Sequence, residues 1–239
     1  MMRAGLSNIS PSGSSKEYNQ QLFIWIDILG FSSIVDKPEN YTKLASILDN
    51  FKISFTDIQG CQAEVISDGI IINIDISDRN TISRVFKSIG EKQYDFILKN
   101  EHFIRGGIAV GSRLEPDQKN KSYISNGLAR AVKIENTKIN WPIVGTNKNH
   151  LNEIRKVLNI QDPDENFNLI KCFNKNGEDI YFIDFINEEN ALFYKLIDNK
   201  ITEYKEETSV RGKYVWLLRY YHHKFKKPSQ NNCLDGWIL

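Results

Sequence analysis

The chain has 239 residues, with 31 Lys and Arg against 30 Asp and Glu, for a formal charge of +1. That length suits one large domain, and the charge balance excludes a generally basic nucleic-acid or membrane-surface binder, so an anionic substrate has to be held by a local site. Cys61, Cys172 and Cys233 stand apart without metal-ligand spacing and no run of about 18 apolar residues occurs, which argues against a zinc site, a disulfide framework and a membrane span, and for a reducing cytoplasm.

Residues 1–20 are rich in Ser and Asn and lack the apolar stretch of a signal peptide, so they are read as a disordered tail. A single domain is expected over 21–227, with a second tail over 228–239. The run Leu22-Phe23-Ile24-Trp25-Ile26-Asp27 is nearly all apolar, as a strand covered on both faces should be. It ends in Ile28-Leu29-Gly30-Phe31-Ser32-Ser33, where Gly30 allows a tight turn and Ser32 or Ser33 can cap a helix. A helix is predicted over 41–55, with Leu44, Ile47, Leu48 and Phe51 on one face. Runs 61–66 and 70–76 flank Ser67-Asp68-Gly69, and Asp-Gly between β-branched runs signals a hairpin. A helix over 78–98 and a strand over 103–110 follow. The polar segment 111–123 reads as a loop, 126–139 as a helix and 141–144 as a short strand. A second hairpin, 167–173 with 179–185, is expected around Asn176-Gly177, and helices near 189–204 and 210–225 complete the pattern.

The order β-α-β-β-α-β-α-β predicts an α+β fold: a ferredoxin-like core with a mixed, mainly antiparallel sheet, extended by the C-terminal hairpin and helices. In such a core the first strand and the central hairpin are neighbours. Asp27, ending one, and Asp68, at the tip of the other, can then converge. Paired carboxylates beside a Gly-containing turn suit two hard divalent cations, Mg²⁺ or Mn²⁺, and a triphosphate. Backbone N–H groups of Leu29, Gly30, Phe31 and Ser32, near a helix N-terminus, are candidate phosphate donors. Taken singly, an Asp after a strand is ordinarily a turn former and Asp-Gly ordinarily a turn.

The string from Phe23 to Ser32 resembles the first metal-binding motif of class III nucleotidyl cyclases. Val65-Ile66-Ser67-Asp68-Gly69 resembles the second, and Phe103-Ile104-Arg105-Gly106-Gly107-Ile108-Ala109-Val110-Gly111 the core strand that follows. The RGGIAVG string, Ala131 to Glu135 and Lys213 to Tyr221 are similar to the bacterial antiphage branch known as Pycsar, whose cyclases make cyclic pyrimidine nucleotides. The resemblance implies that Asp27 and Asp68 bind two Mn²⁺ or Mg²⁺ ions with the carbonyl of Ile28. It implies a homodimer with substrate between protomers, a nucleoside triphosphate as substrate, UTP ahead of CTP, and a separate effector protein that responds to the cyclic product.

The purine-type members carry an Asn and, four residues on, an Arg that stabilises transition-state charge. Two registers fit: Asn126 with Arg130, or Ala129 with Lys133, which keeps the later helix pattern aligned. A solvated helix face accounts for either basic residue equally well. Glu64, four residues before Asp68, matches a base-contacting position, or is an exposed strand residue. Arg105 faces either the phosphates or a buried acid. Phe31 is expected to pack under the turn. The alternatives are an adenylate or guanylate cyclase, and a cyclase-homology module that binds nucleotide without turnover.

Overall fold

The computed structural model describes residues 20–31, 35–36, 39, 41–76, 78–114, 124–162 and 165–225. The strands are β1 (Gln20–Ile28), β2 (Gln62–Ile66), β3 (Gly69–Asp75), β4 (Ile104–Leu114), β5 (Ile124–Ser125), β6 (Val144–Asn147), β7 (Ile170–Phe173) and β8 (Asp179–Phe182). The helices are α1 (Tyr41–Thr56), α2 (Arg79–Asn100), α3 (Asn126–Lys138), α4 (Lys148–Val157), α5 (Ala191–Glu203) and α6 (Thr208–Phe225).

One sheet runs in the order β2-β3-β1-β4-β6-β8-β7, with β5 paired to the far end of β4. Its first four members and the helices α1 and α2 make the β-α-β-β-α-β core, with β1 central between β3 and β4. Every pairing is antiparallel except β4 with β6, so the sheet is mixed and mainly antiparallel, as the element order predicts. The second hairpin, β7–β8, is not a separate appendage. It extends the same sheet through the pairing of β8 with β6.

Alternation along the strands divides the core between two faces. Leu22, Ile24, Ile26 and Ile28 of β1 and Ile70, Ile72 and Ile74 of β3 meet Ile47, Phe51 and Phe55 of α1, Val85 and Ile89 of α2, and Leu151 and Ile154 of α4. The other face gathers Phe23, Ile71 and Ala109 with Ala131 and Ile134 of α3 and Leu217 and Tyr220 of α6. Burying β1 on both sides removes its alternating polarity, which is why the sequence run is continuously apolar.

Three corrections concern the span between β4 and β7. The segment 111–123 is not a loop throughout: β4 continues to Leu114 and β5 begins at Ile124, and 115–123 lies outside the described residues. The short strand falls at 144–147 rather than 141–144; Trp141 instead stacks on Trp216 of α6, ring centroids 5.5 Å apart. Helix α4 is an element absent from the sequence reading; Leu151 and Ile154 are buried, and Val157 and Leu158, at helical spacing from them, pack against the same core. Asn147 caps it, accepting from the His150 N–H at 3.1 Å. The expected tails and Ser32 also lie outside the described residues.

Candidate active site

The site is set by strand register. Asp27 pairs with Gly69 of β3 on one side and with Arg105 of β4 on the other. Asp68 precedes Gly69 in a two-residue turn whose first member, Ser67, has φ 58. Both carboxylates therefore reach the same end of the sheet. Asp68 is close enough to Asp27 to raise its pKa through charge and a side-chain hydrogen bond. Half burial, the Asp68 charge and, more weakly, Glu135 push the Asp27 carboxyl from 3.8 up to about 7, with Arg105 pulling the other way.

Gly69 is glycine for a reason the hairpin signal does not contain. A Cβ there would lie 2.0 Å from Cη2 of Trp25, whose indole covers this position. Trp25 and Asp27 are two apart on β1 and share a face. The turn's left-handed residue is Ser67, whereas Gly69 provides clearance for Trp25.

At the C-terminal end of β1 the chain turns through Leu29 and Gly30. The Leu29 N–H donates to the Phe103 carbonyl at 2.9 Å, so it anchors the turn and is not available as a phosphate donor. Gly30 takes φ 77, in the left-handed region. Phe31 is half-buried and packs against the α1–α2 side of the core. Ile28, whose carbonyl would join a cation, is 1 % exposed.

Arg105 forms an ion pair with Glu135 of α3, whose side chain is 3 % exposed. Of the two readings of Arg105, the structure places it on a buried acid. The helix comes this close because of glycine: a Cβ at Gly107 would meet the Ala131 carbonyl oxygen at 2.0 Å, and one at Gly111 the Gly127 Cα at 2.3 Å. On the same face, at the other end of β4, Arg113 donates through Nη1 to Gln62 Oε1 at 3.2 Å and through Nη2 to Glu64 Oε1 at 3.4 Å. Glu64 is thus engaged by a cation, on the strand row that continues through Ile71 to Trp25.

The two candidate registers on α3 differ in what their side chains do. Asn126 Oδ1 accepts from the Ser112 N–H at 2.7 Å. Arg130 donates to the Val110 carbonyl at 3.0 Å and lies 3.6 Å from Glu153. Both tie the start of α3 to β4 and α4. Lys133 is exposed and lines, with Arg130, His150 and Glu153, a shallow cavity of about 330 Å³. Asp27 and Asp68 are brought together, whereas Arg130 and Lys133 lie along the cavity beside α4.

The residues fit a divalent cation. Two carboxylates that oppose each other's ionisation form a site that positive charge stabilises. Among the described residues no three His, Cys, Asp or Glu side chains gather as a metal cluster. A cation would therefore be held by Asp27, Asp68 and the Ile28 carbonyl, with substrate phosphates completing its shell. Sequence reasoning did not single out Trp25 or Arg113, nor the charge roles of Glu135 and Lys213. The first was legible from its position two residues before Asp27. Half-buried Lys213 of α6 senses Arg105 and Glu135 electrostatically, a relation that only the tertiary fold creates.

No family model and no curated protein matches the chain. Among solved structures it is similar to the monomeric guanylyl cyclase domain of the RhoGC fusion protein from the aquatic fungus Blastocladiella emersonii, with 13% identity, 70% of this chain and 95% of that chain covered, and a TM-score of 0.49. A bacterial light-regulated adenylyl cyclase is similar at 11% identity over 75% of this chain and 56% of that one, with a TM-score of 0.48. The catalytic core of a rhodopsin-guanylyl cyclase with converted specificity, in complex with ATPαS, gives 11% identity, 70% and 96% coverage, and a TM-score of 0.46.

Proposed function

We propose that the chain is a nucleotidyl cyclase of the class III type. The carrying observation is the convergence of Asp27 and Asp68 at one end of the sheet, with Asp27 pushed up to about 7 chiefly by burial and by its neighbour. In the proposed reaction the ribose 3′-oxygen bonds to the α-phosphorus, the bond to the β-phosphate oxygen breaks, and pyrophosphate leaves. Two Mn²⁺ or Mg²⁺ ions would supply activation of the hydroxyl and charge neutralisation on the phosphates. Asp27 and Asp68 hold those charges. Leu29, fixed to Phe103, and Gly30 shape the turn beside them.

A pyrimidine nucleotide, UTP before CTP, is the favoured substrate. Trp25 occupies the sheet face next to Asp27, Arg113 spans that face to Glu64, and Asn126 and Arg130 are engaged structurally. Those features support a narrow base site without the purine-type pair. A homodimer with active sites at the interface rests on the sequence resemblance, and exposed Lys133 is compatible with service at a second copy's site. The antiphage setting and a separate effector for the cyclic nucleotide rest on the sequence resemblance alone.

The test is incubation of the dimeric protein with each of the four NTPs and Mn²⁺, with products identified by mass. A cyclic monophosphate and pyrophosphate are expected, most from UTP. Absence of a cyclic product from every NTP would overturn the enzyme reading and leave the nucleotide-binding module.

A further inference from the structure

We propose that Glu135 is a positioning residue that withholds Arg105 from Asp27, keeping the carboxylate pair open to a cation; this rests on the metal-site reading above. Asp27 and Arg105 are register partners on adjacent strands and the same sheet face. Opposite charges at such a spacing ordinarily pair across the strands. An arginine bound to Asp27 would satisfy the carboxylate and compete with any metal. Here the guanidinium instead pairs with Glu135.

Three features hold that arrangement. Gly107, two residues from Arg105 on the same face, lets α3 descend until a Cβ would touch the Ala131 carbonyl and the Glu135 N–H. Glu135 is thereby carried down to the start of β4. The C-terminal helix then closes over the pair. Tyr214 of α6 packs edge-on against Phe103, ring centroids 5.2 Å apart, next to the segment that leads into Arg105. The preceding residue, Lys213, is near enough for its charge to act on both Arg105 and Glu135. Glu135 is thus paired with Arg105 and also feels the charge of Lys213, although burial still lifts its carboxyl above the ordinary range. The backbone of Phe103 also anchors Leu29, so one short segment joins α6, the ion pair and the turn after Asp27.

The experiment measures Mn²⁺ binding to the full chain without nucleotide, by electron paramagnetic resonance of free Mn²⁺, with thermal melting as a check of folding. Wild type should bind in a manner lost in D27N. E135Q frees Arg105 and should weaken binding by about tenfold or more. R105M/E135M replaces the buried pair with apolar side chains, a change such sites tolerate, and should return binding to within about twofold of wild type. Should E135Q fail to fold, E135D keeps the charge with a shorter reach and should give a smaller loss. Wild-type affinity in a folded E135Q or E135D, or weak binding that persists in the folded double variant, overturns the proposal while leaving the metal site standing. Wild-type protein that binds no Mn²⁺ through Asp27 overturns the metal-site reading and this inference with it.

Discussion

Replacing Asp27 with Asn should stabilise the metal-free protein at alkaline pH, at the expense of its proposed chemistry. The Asp27 carboxyl is held at about 7 against an ordinary 3.8. The folded state therefore binds a proton that the unfolded chain has released, and between those values stability falls as pH rises. Above pH 7 the full penalty is present; near pH 4 it is absent. The gap corresponds to about 4 kcal/mol for a fully sequestered group. Asp27 is only half-buried, however, and solvent screening reduces this to roughly 1–2 kcal/mol. For a domain of this size, D27N should melt about 2–8 °C higher than wild type at pH 8. At pH 3.5, below both values, where folded and unfolded Asp27 alike carry the proton, the two should melt within about 1 °C of each other. The assay is calorimetry in chelator at both pH values. Added Mn²⁺ should then raise the wild-type melting temperature at pH 8 and leave D27N unmoved. A melting temperature for D27N equal to or below wild type at pH 8, or a gain of the same size at pH 3.5, would refute the repulsion argument.

Asp68→Asn should abolish cyclic product formation in the same NTP assay while the far-ultraviolet circular dichroism stays unchanged; a wild-type rate would remove Asp68 from the site. Gly107→Ala forces a methyl group to within 2.0 Å of the Ala131 carbonyl oxygen, and because backbone cannot swing aside it should cost about 2 kcal/mol or more, read as a lowered melting temperature. Tyr220→Phe removes a hydroxyl that donates to Asp184 Oδ1 at 2.5 Å; with Lys224 still holding that carboxylate, a loss of about 1–2 kcal/mol in chemical denaturation is expected. Trp25→Phe keeps an aromatic ring over Gly69 but shortens it, and should raise purine turnover relative to UTP; an unchanged ratio would show that Trp25 does not narrow the base site.

The core was legible because its signals are local. Continuous Ile and Phe in β1, the 3.6-residue apolar spacing of α1 and α2, and the Ser67-Asp68-Gly69 turn each announce their element within about a dozen residues. From those elements the order β2-β3-β1-β4 follows, and with it the approach of Asp27 to Asp68. The far end of β4 was not legible. Gly111, Ser112 and Arg113 carry no β-branched or aromatic pattern, and they extend the strand by pairing with β1 and β5, partners that lie far off in the chain. Helix α4 was passed over although Leu151, Ile154, Val157 and Leu158 recur at helical spacing and pack on the core.

The same division separates the secure and hidden parts of the site. A carboxylate at a strand end or a turn tip is placed by its own element, so its position can be read from spacing. What surrounds it is placed by other elements. Glu135 reaches Arg105 only because Gly107 and Gly111 remove the Cβ atoms that would hold α3 away. In sequence Gly107 reads only as part of the strand over 103–110 and Gly111 as the start of a loop, yet in the fold the two are the seat of a helix. Lys213 arrives from a helix more than a hundred residues downstream of Arg105. Its two-residue spacing from Val215 and its neighbour Tyr214 say only that it borders an apolar stripe. In the fold that stripe is core: Tyr214, Trp216, Leu217 and Tyr220 are buried. The residue beside the stripe carries a charge that acts on Arg105 and Glu135, and packing Tyr214 against Phe103 fixes where Lys213 must lie. Charge placement near Asp27 is thus a consequence of hydrophobic packing between α6 and the start of β4, and substitutions at Phe103 or Tyr214 should reach the carboxylate pair through it.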